Sequence, residues 1–111
     1  LNGDTGDPVY SPTCGVITSV NRSDDSGDQE SGYGRFIKVT DRQGRIHFFA
    51  HLSQTEVEVG DRVSSGQRIA AIGSTGRASG PHLHYEVREG VDSRDYAVNP
   101  MEFLTQAQAR R

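Results

Sequence analysis

Arg35-Phe36-Ile37-Lys38-Val39-Thr40-Asp41-Arg42-Gln43-Gly44-Arg45-Ile46-His47-Phe48-Phe49-Ala50-His51-Leu52 is the stretch whose reading decides the fold. It predicts two strands, Arg35 to Thr40 and Ile46 to Leu52, around the turn Asp41-Arg42-Gln43-Gly44. β-branched and aromatic residues fill both arms, as a pleated, half-buried surface requires. Working outward, Gly15 to Val20, Glu56 to Val59, Arg68 to Ile72 and His84 to Arg88 read as further strands, each flanked by glycine or another turn residue. The polar stretch Asn21 to Gly32 reads as a long hairpin loop, a class that is commonly functional or mobile. No helix of ten or more residues is predicted before Asn99. The expected fold class is all-β and mainly antiparallel, in a small sandwich or partly open barrel.

The chain also echoes itself. Gly6-Asp7-Pro8-Val9 precedes a glycine and then Val16-Ile17-Thr18-Ser19-Val20, while Gly60-Asp61-Arg62-Val63 precedes Gly66 and then Arg68-Ile69-Ala70-Ala71-Ile72. Each copy is a Gly-Asp turn, a valine, a second glycine turn and an apolar strand. Two copies suggest a duplicated β-unit folded on itself, although Gly-Asp turns are common enough that the echo decides little alone.

Composition sets the outer bounds. At 111 residues there is room for one domain with one modest core. No apolar run approaches the roughly 20 residues of a membrane span. The net charge is −3 and the basic residues are scattered, only Arg110 and Arg111 being adjacent, so the footprint of a nucleic-acid binder is missing. One cysteine, Cys14, cannot pair within the chain, and its expected role is that of a small buried filler. Cysteine usage leaves the compartment open. Because the chain begins at Leu1, it reads as a fragment or excised domain.

Candidate chemistry sits in two segments, Phe49-Ala50-His51-Leu52-Ser53 and Gly73-Ser74-Thr75-Gly76-Arg77-Ala78-Ser79-Gly80-Pro81-His82-Leu83-His84-Tyr85-Glu86. A His-x-His pair on a strand puts both imidazoles on one face, and sends Leu83 and Tyr85 to the other. Neutral nitrogen ligands on one face suit zinc. The same spacing permits one histidine to hold metal while the other handles protons. Glu86, two residues on, shares that face and is placed to orient His84. On spacing alone a plain polar strand face is the commoner reading of such a pair, and metal binding the rarer one. The Gly-Ser-Thr-Gly run lacks the lysine of a phosphate-binding loop, which argues against a nucleotide.

Gly32-Tyr33-Gly34, Phe49-Ala50-His51-Leu52-Ser53, Val57-x-Val59-Gly60-x-x-Val63-x-x-Gly66-Gln67-x-Ile69 and Gly73-Ser74-Thr75-Gly76 with Gly80-Pro81-His82-Leu83-His84 together resemble the M23 metallopeptidases. This lysostaphin-like group cuts peptide bridges and stems in bacterial cell walls. The resemblance spans Leu1 to about Leu104, with Val98-Asn99-Pro100 similar to the family's closing turn. It implies a peptidase domain over residues 1–104, incomplete at its N-terminus, with 105–111 as a helical stub or disordered tail. It also implies a β core of the duplicated hybrid type, and a Zn2+ cofactor held in part by His84. His82 and His51 take the places of the two catalytic histidines, which activate water and stabilise the tetrahedral oxyanion. His51 is therefore expected on the same sheet face as His82 and His84, with Leu52 pointing the opposite way.

Departures from the family pattern shape further expectations. The other two ligands of the family come from a His-x-x-x-Asp motif whose aspartate, counted back from Gly6, falls one position before Leu1. On that count the chain alone is expected to bind zinc weakly and to show little lytic activity. Asp4 and Asp7 are the nearest carboxylates, but both fall in the Gly-Asp turn. His47 shares strand parity with His51 and is expected to be a solvated strand histidine. Arg35 and Asp41 replace more usual residues and bear on substrate contacts or loop packing.

The leading expectation is thus a zinc endopeptidase acting on peptidoglycan peptides outside the cytoplasmic membrane, in the bacterial envelope or in a phage. A degenerate family member that binds wall or regulates another hydrolase is the alternative. Retention of His51, His82 and His84 favours the enzyme. A lipoyl- or biotinyl-type carrier shares the hybrid motif but needs a lysine at a hairpin tip, and the only lysine, Lys38, lies inside a strand. Which peptide bond is cut, and the oligomeric state, stay open.

Overall fold

The structure, a computed structural model, describes residues 5–23, 32–73, 83–89 and 97–98. These form strands β1 (Pro8–Tyr10), β2 (Gly15–Asn21), β3 (Arg35–Asp41), β4 (Ile46–Thr55), β5 (Arg62–Val63), β6 (Arg68–Ile72), β7 (His84–Arg88) and β8 (Ala97–Val98). Every strand pairing is antiparallel. The strands join one curled sheet in the order β1-β6-β4-β3-β2-β5, with β7 beside β4 and β8 beside β7. No helix occurs among the described residues, so none there is long and apolar enough to cross a membrane. The all-β, antiparallel expectation holds.

The echo in the sequence becomes an exchange in space. Strand β1 of the first copy pairs with β6 of the second, and β5 of the second pairs with β2 of the first. Each Gly-Asp turn then grips the other copy's apolar strand through the same two bonds. The Gly6 amide donates to the Ile72 carbonyl and the Ile72 amide to Asp7; the Gly60 amide donates to Ile17 and the Ile17 amide to Asp61, all at 2.8–2.9 Å. Both turns need a left-handed glycine, Gly6 at φ 95° and Gly60 at φ 96°. The strand order is correspondingly palindromic, with β3 and β4 at its centre.

Two expectations require correction. Glu56 to Val59 is not a strand: β4 runs on to Thr55, and the chain then bends into a turn closed by the Asp61 carboxylate on the Glu58 amide at 2.9 Å. Cys14 is exposed rather than buried, because it lies in the turn before β2, outside the strand alternation that would carry it inward.

Alternation gives the β3-β4-β7 region two faces. Ile37, Val39, Phe49, Tyr85 and Val87 join the main core, and the Phe49 and Tyr85 rings stack at 4.9 Å. Phe36, Phe48, Ala50 and Tyr33 form a second, smaller cluster on the opposite face. Lys38 lies on that face within β3, its ammonium 5.5 Å from the Phe48 ring centroid, far from any hairpin tip.

His47 is the third correction. It is fully buried on the core side and not solvated. Its Nε2 lies 2.9 Å from Asp41 Oδ2, and its Nδ1 lies 2.8 Å from the Tyr85 hydroxyl. Asp41 also accepts the Gln43 and Arg45 amides and the Arg45 guanidinium, so it organises the β3–β4 turn; loop packing is its role here. Burial lowers the His47 pKa against the opposing pull of Asp41, which leaves a neutral imidazole that donates to Asp41 and accepts from Tyr85. Burial works to raise the Asp41 pKa, but the His47 and Arg45 hydrogen bonds outweigh it and hold the carboxyl below its ordinary value.

The sign of the linkage follows. Below about pH 6.5 the unfolded chain takes up a proton at His47 that the folded chain resists, so stability falls with falling pH. Asp41 adds a second loss once pH drops through the carboxylate range. Melting temperature should therefore decline from about pH 7 to pH 5, and His47→Gln should flatten that slope while lowering the overall value. A wild-type melting temperature that rises on acidification would contradict this.

Candidate functional site

Period two along β7 puts His84, Glu86 and Arg88 on the face away from the core, while Leu83, Tyr85 and Val87 are buried in it. Across the ladder to β4, Ala50 stands opposite His84, Phe48 opposite Glu86, and Ile46 opposite Arg88. This part of the site follows from alternation alone.

His51 does not. Strict alternation from His47 and Phe49 would send it into the core. Instead its backbone adopts φ 60°, making it the only described non-glycine residue in the left-handed region. The kink falls where β4 changes partner, pairing with β7 through Ala50 and with β6 from Leu52 onward. Main-chain bonds hold it from both sides: the His51 amide donates to the Tyr33 carbonyl at 2.9 Å, and the Gly73 amide donates to the His51 carbonyl at 3.0 Å. The His51 ring consequently meets the His84 ring edge-on, with centroids 5.8 Å apart, while Leu52 is fully buried in the core. His47 and His51 thus lie on opposite faces despite their even spacing. Backbone in this region costs a non-glycine residue about 1–3 kcal/mol. Stability measured by chemical denaturation should accordingly be higher for His51→Gly than for His51→Ala, by roughly 1 kcal/mol. Equal stabilities would argue against the left-handed backbone.

An aromatic floor supports the two imidazoles. The Tyr33 ring lies 5.0 Å from the His84 ring and 6.2 Å from the His51 ring, and meets the edge of Phe48 at 4.8 Å. Beside them, Glu86 Oε1 contacts His84 Nε2 at 2.5 Å and accepts the Tyr33 hydroxyl at 2.9 Å. Glu86 Oε2 accepts Arg88 Nε at 3.0 Å. Burial works to raise the Glu86 pKa, but hydrogen bonds from His84 and Arg88 prevail and keep it lowered. The carboxylate is therefore an acceptor in the neutral pH range.

His84 offers the kind of nitrogen donor that zinc takes. His84 is about one-third exposed, and with Nε2 turned to Glu86 its other ring nitrogen is the one available to a metal. Among the described residues, no group of three or more His, Cys, Asp or Glu side chains stands close enough to hold a metal. His82 and the rest of 74–82 lie outside the described residues, as do Asp4 and the tail 105–111. Of the three histidines singled out in the sequence, the structure brings together His51 and His84. Arg35 donates to the Ser53 and Arg22 carbonyls and so ties the end of β4 to the segment after β2. Nothing in the local sequence marks Tyr33 for the site, whereas Arg88 is legible there, since positions 84, 86 and 88 share one face of a strand.

A sequence model described as peptidase family M23 matches residues 1–100. Glycyl-glycine endopeptidase ALE-1 of Staphylococcus capitis is 36% identical over 104 residues, covering 92% of this chain and 27% of that protein. The catalytic domain of the antimicrobial peptidase lysostaphin from Staphylococcus simulans superposes with a TM-score of 0.81 at 33% identity, covering 93% of this chain and 74% of that one. A zinc-containing peptidase from Vibrio cholerae superposes with a TM-score of 0.73 at 31% identity, covering 89% of this chain and 27% of that one. The chain spans less than a third of the length of the curated relatives it matches.

Proposed function

This chain belongs to peptidase family M23, and from that premise we propose that it carries the catalytic chemistry of a zinc endopeptidase cutting peptide bonds in bacterial peptidoglycan. The observation that carries the reading is the apposition of the His51 and His84 rings, centroids 5.8 Å apart, obtained by a left-handed backbone at His51. Strain of this kind persists where a site uses it.

In this reading His84 is a metal ligand through Nδ1. Zinc, when bound, supplies Lewis acidity for peptide hydrolysis. His51 and His82 move the proton and hold the negative charge that develops on the scissile carbonyl oxygen. Tyr33 and Phe48 exclude water from one side of the site. The substrate is a cross-bridge or stem peptide, and the site of action lies outside the cytoplasmic membrane, as the wall substrate demands.

The test is digestion of purified peptidoglycan by the whole protein that carries these residues. New free amino groups without new reducing sugar ends are expected. Reducing ends would mean that a glycan bond is cut. Tight wall binding with no release would make the domain a binding module instead.

A further inference from the structure

Glu86 is held at both oxygens. Oε1 accepts the Tyr33 hydroxyl and contacts His84 Nε2, while Oε2 accepts Arg88 Nε. Arg88 is itself immobilised: it is 2% exposed, and its guanidinium carbon sits 4.3 Å from the Phe48 ring centroid. Such a cation does not swing to solvent, so the carboxylate it binds has a fixed orientation. Tyr33 is equally constrained, buried with its ring edge on Phe48.

A carboxylate only accepts hydrogen bonds, and a neutral imidazole carries one N–H. When Glu86 accepts from Nε2, that nitrogen keeps the proton and the lone pair resides on Nδ1. We propose that Glu86, clamped by Tyr33 and Arg88, is a positioning residue that commits His84 to the Nε2–H tautomer and presents Nδ1 to the metal. The clamp also stops the ring from flipping, which would put carbons Cδ2 and Cε1 where Nδ1 and Nε2 stand. The proposal deepens the metal-ligand reading of His84 and rests on it for its consequence, although the tautomer is testable without any metal.

The experiment is long-range ¹H–¹⁵N correlation of the histidine rings at about pH 9, where ordinary imidazoles are neutral. It is paired with Zn2+ titration of the whole protein. Wild-type His84 should show one tautomer, protonated at Nε2. Glu86→Ala should mix the tautomers and weaken Zn2+ binding about 10- to 100-fold. Glu86→Gln, whose side-chain oxygen still accepts, should restore the Nε2–H form. Arg88→Met, which releases one side of the clamp, should give an intermediate mixture. His47, bound to Asp41 and Tyr85 on the other face, reports folding in the same spectrum. Should Glu86→Ala disturb His47, Arg88→Met and Tyr33→Phe decide the matter, and unchanged His84 ratios in both would overturn the clamp. A wild-type His84 protonated at Nδ1, or a folded Glu86→Ala protein with an unchanged ratio, would also overturn it. Failure of the wild type to bind Zn2+ would count against the proposed function while leaving the tautomer result to judge the clamp.

Discussion

His51→Ala in the whole protein should lower peptide-bond hydrolysis by ~10²–10³ while leaving the fold and bound zinc in place. The size of the effect is that of losing one preorganised partner of the transition state. The fold should survive because both bonds that hold the His51 kink are main-chain: its amide to Tyr33 and its carbonyl to Gly73. Alanine keeps both. His84→Ala should behave differently, with hydrolysis and zinc lost together. Turnover and metal content measured on the same two preparations separate the roles. Near-normal turnover in His51→Ala would remove it from the chemistry, and full zinc retention in His84→Ala would remove that residue from the metal site.

Gly73→Ala should cost about 3 kcal/mol, or roughly 12 °C in melting temperature. Gly73 is a glycine for want of room. A Cβ there would lie 2.4 Å from the Ser53 nitrogen, 2.7 Å from the Ser53 Cα and 2.8 Å from the Leu52 carbonyl carbon. All three are main-chain atoms and cannot rotate away. Relief requires the end of β6 to retreat from β4, which breaks the Gly73–His51 bond and frees the kink. Activity should therefore fall further than the unfolded fraction accounts for. Gly44→Ala is the control: it has a left-handed φ of 80° but nothing near its Cβ, and should cost only about 1 kcal/mol. Equal melting temperatures for the two variants would contradict the close approach of β6 to β4.

What was legible in the sequence is what period two and turn chemistry control. The shared face of His84 and Glu86, the inward Leu83 and Tyr85, and the paired Gly-Asp turns all follow from alternation and from glycine's access to positive φ. Sequence proximity hid the exchange of strands between the two copies, because each Gly-Asp turn bonds a strand 43 to 66 residues away. His51 shows a different limit. Its face depends on one backbone angle at a change of strand partner, and parity taken alone would have put it with His47. His47 in turn looked solvated because neither Asp41 nor Tyr85 announces itself as a partner across 6 and 38 residues. Cys14 is exposed because it precedes β2 by one residue, and a small apolar side chain does not signal on which side of a strand boundary it falls. The catalytic assignments came from family resemblance, which spacing alone did not supply.

The central claim is that these residues serve a zinc-dependent peptidase, and one measurement addresses it most directly. Purified peptidoglycan is digested with the whole protein after chelation and again after stoichiometric Zn2+ is returned, and the products are identified by mass spectrometry. The account predicts peptide-bond cleavage that disappears on chelation, returns with Zn2+, and fails to return in His84→Ala. Cleavage that persists through chelation, or that Zn2+ restores equally well in His84→Ala, would contradict it.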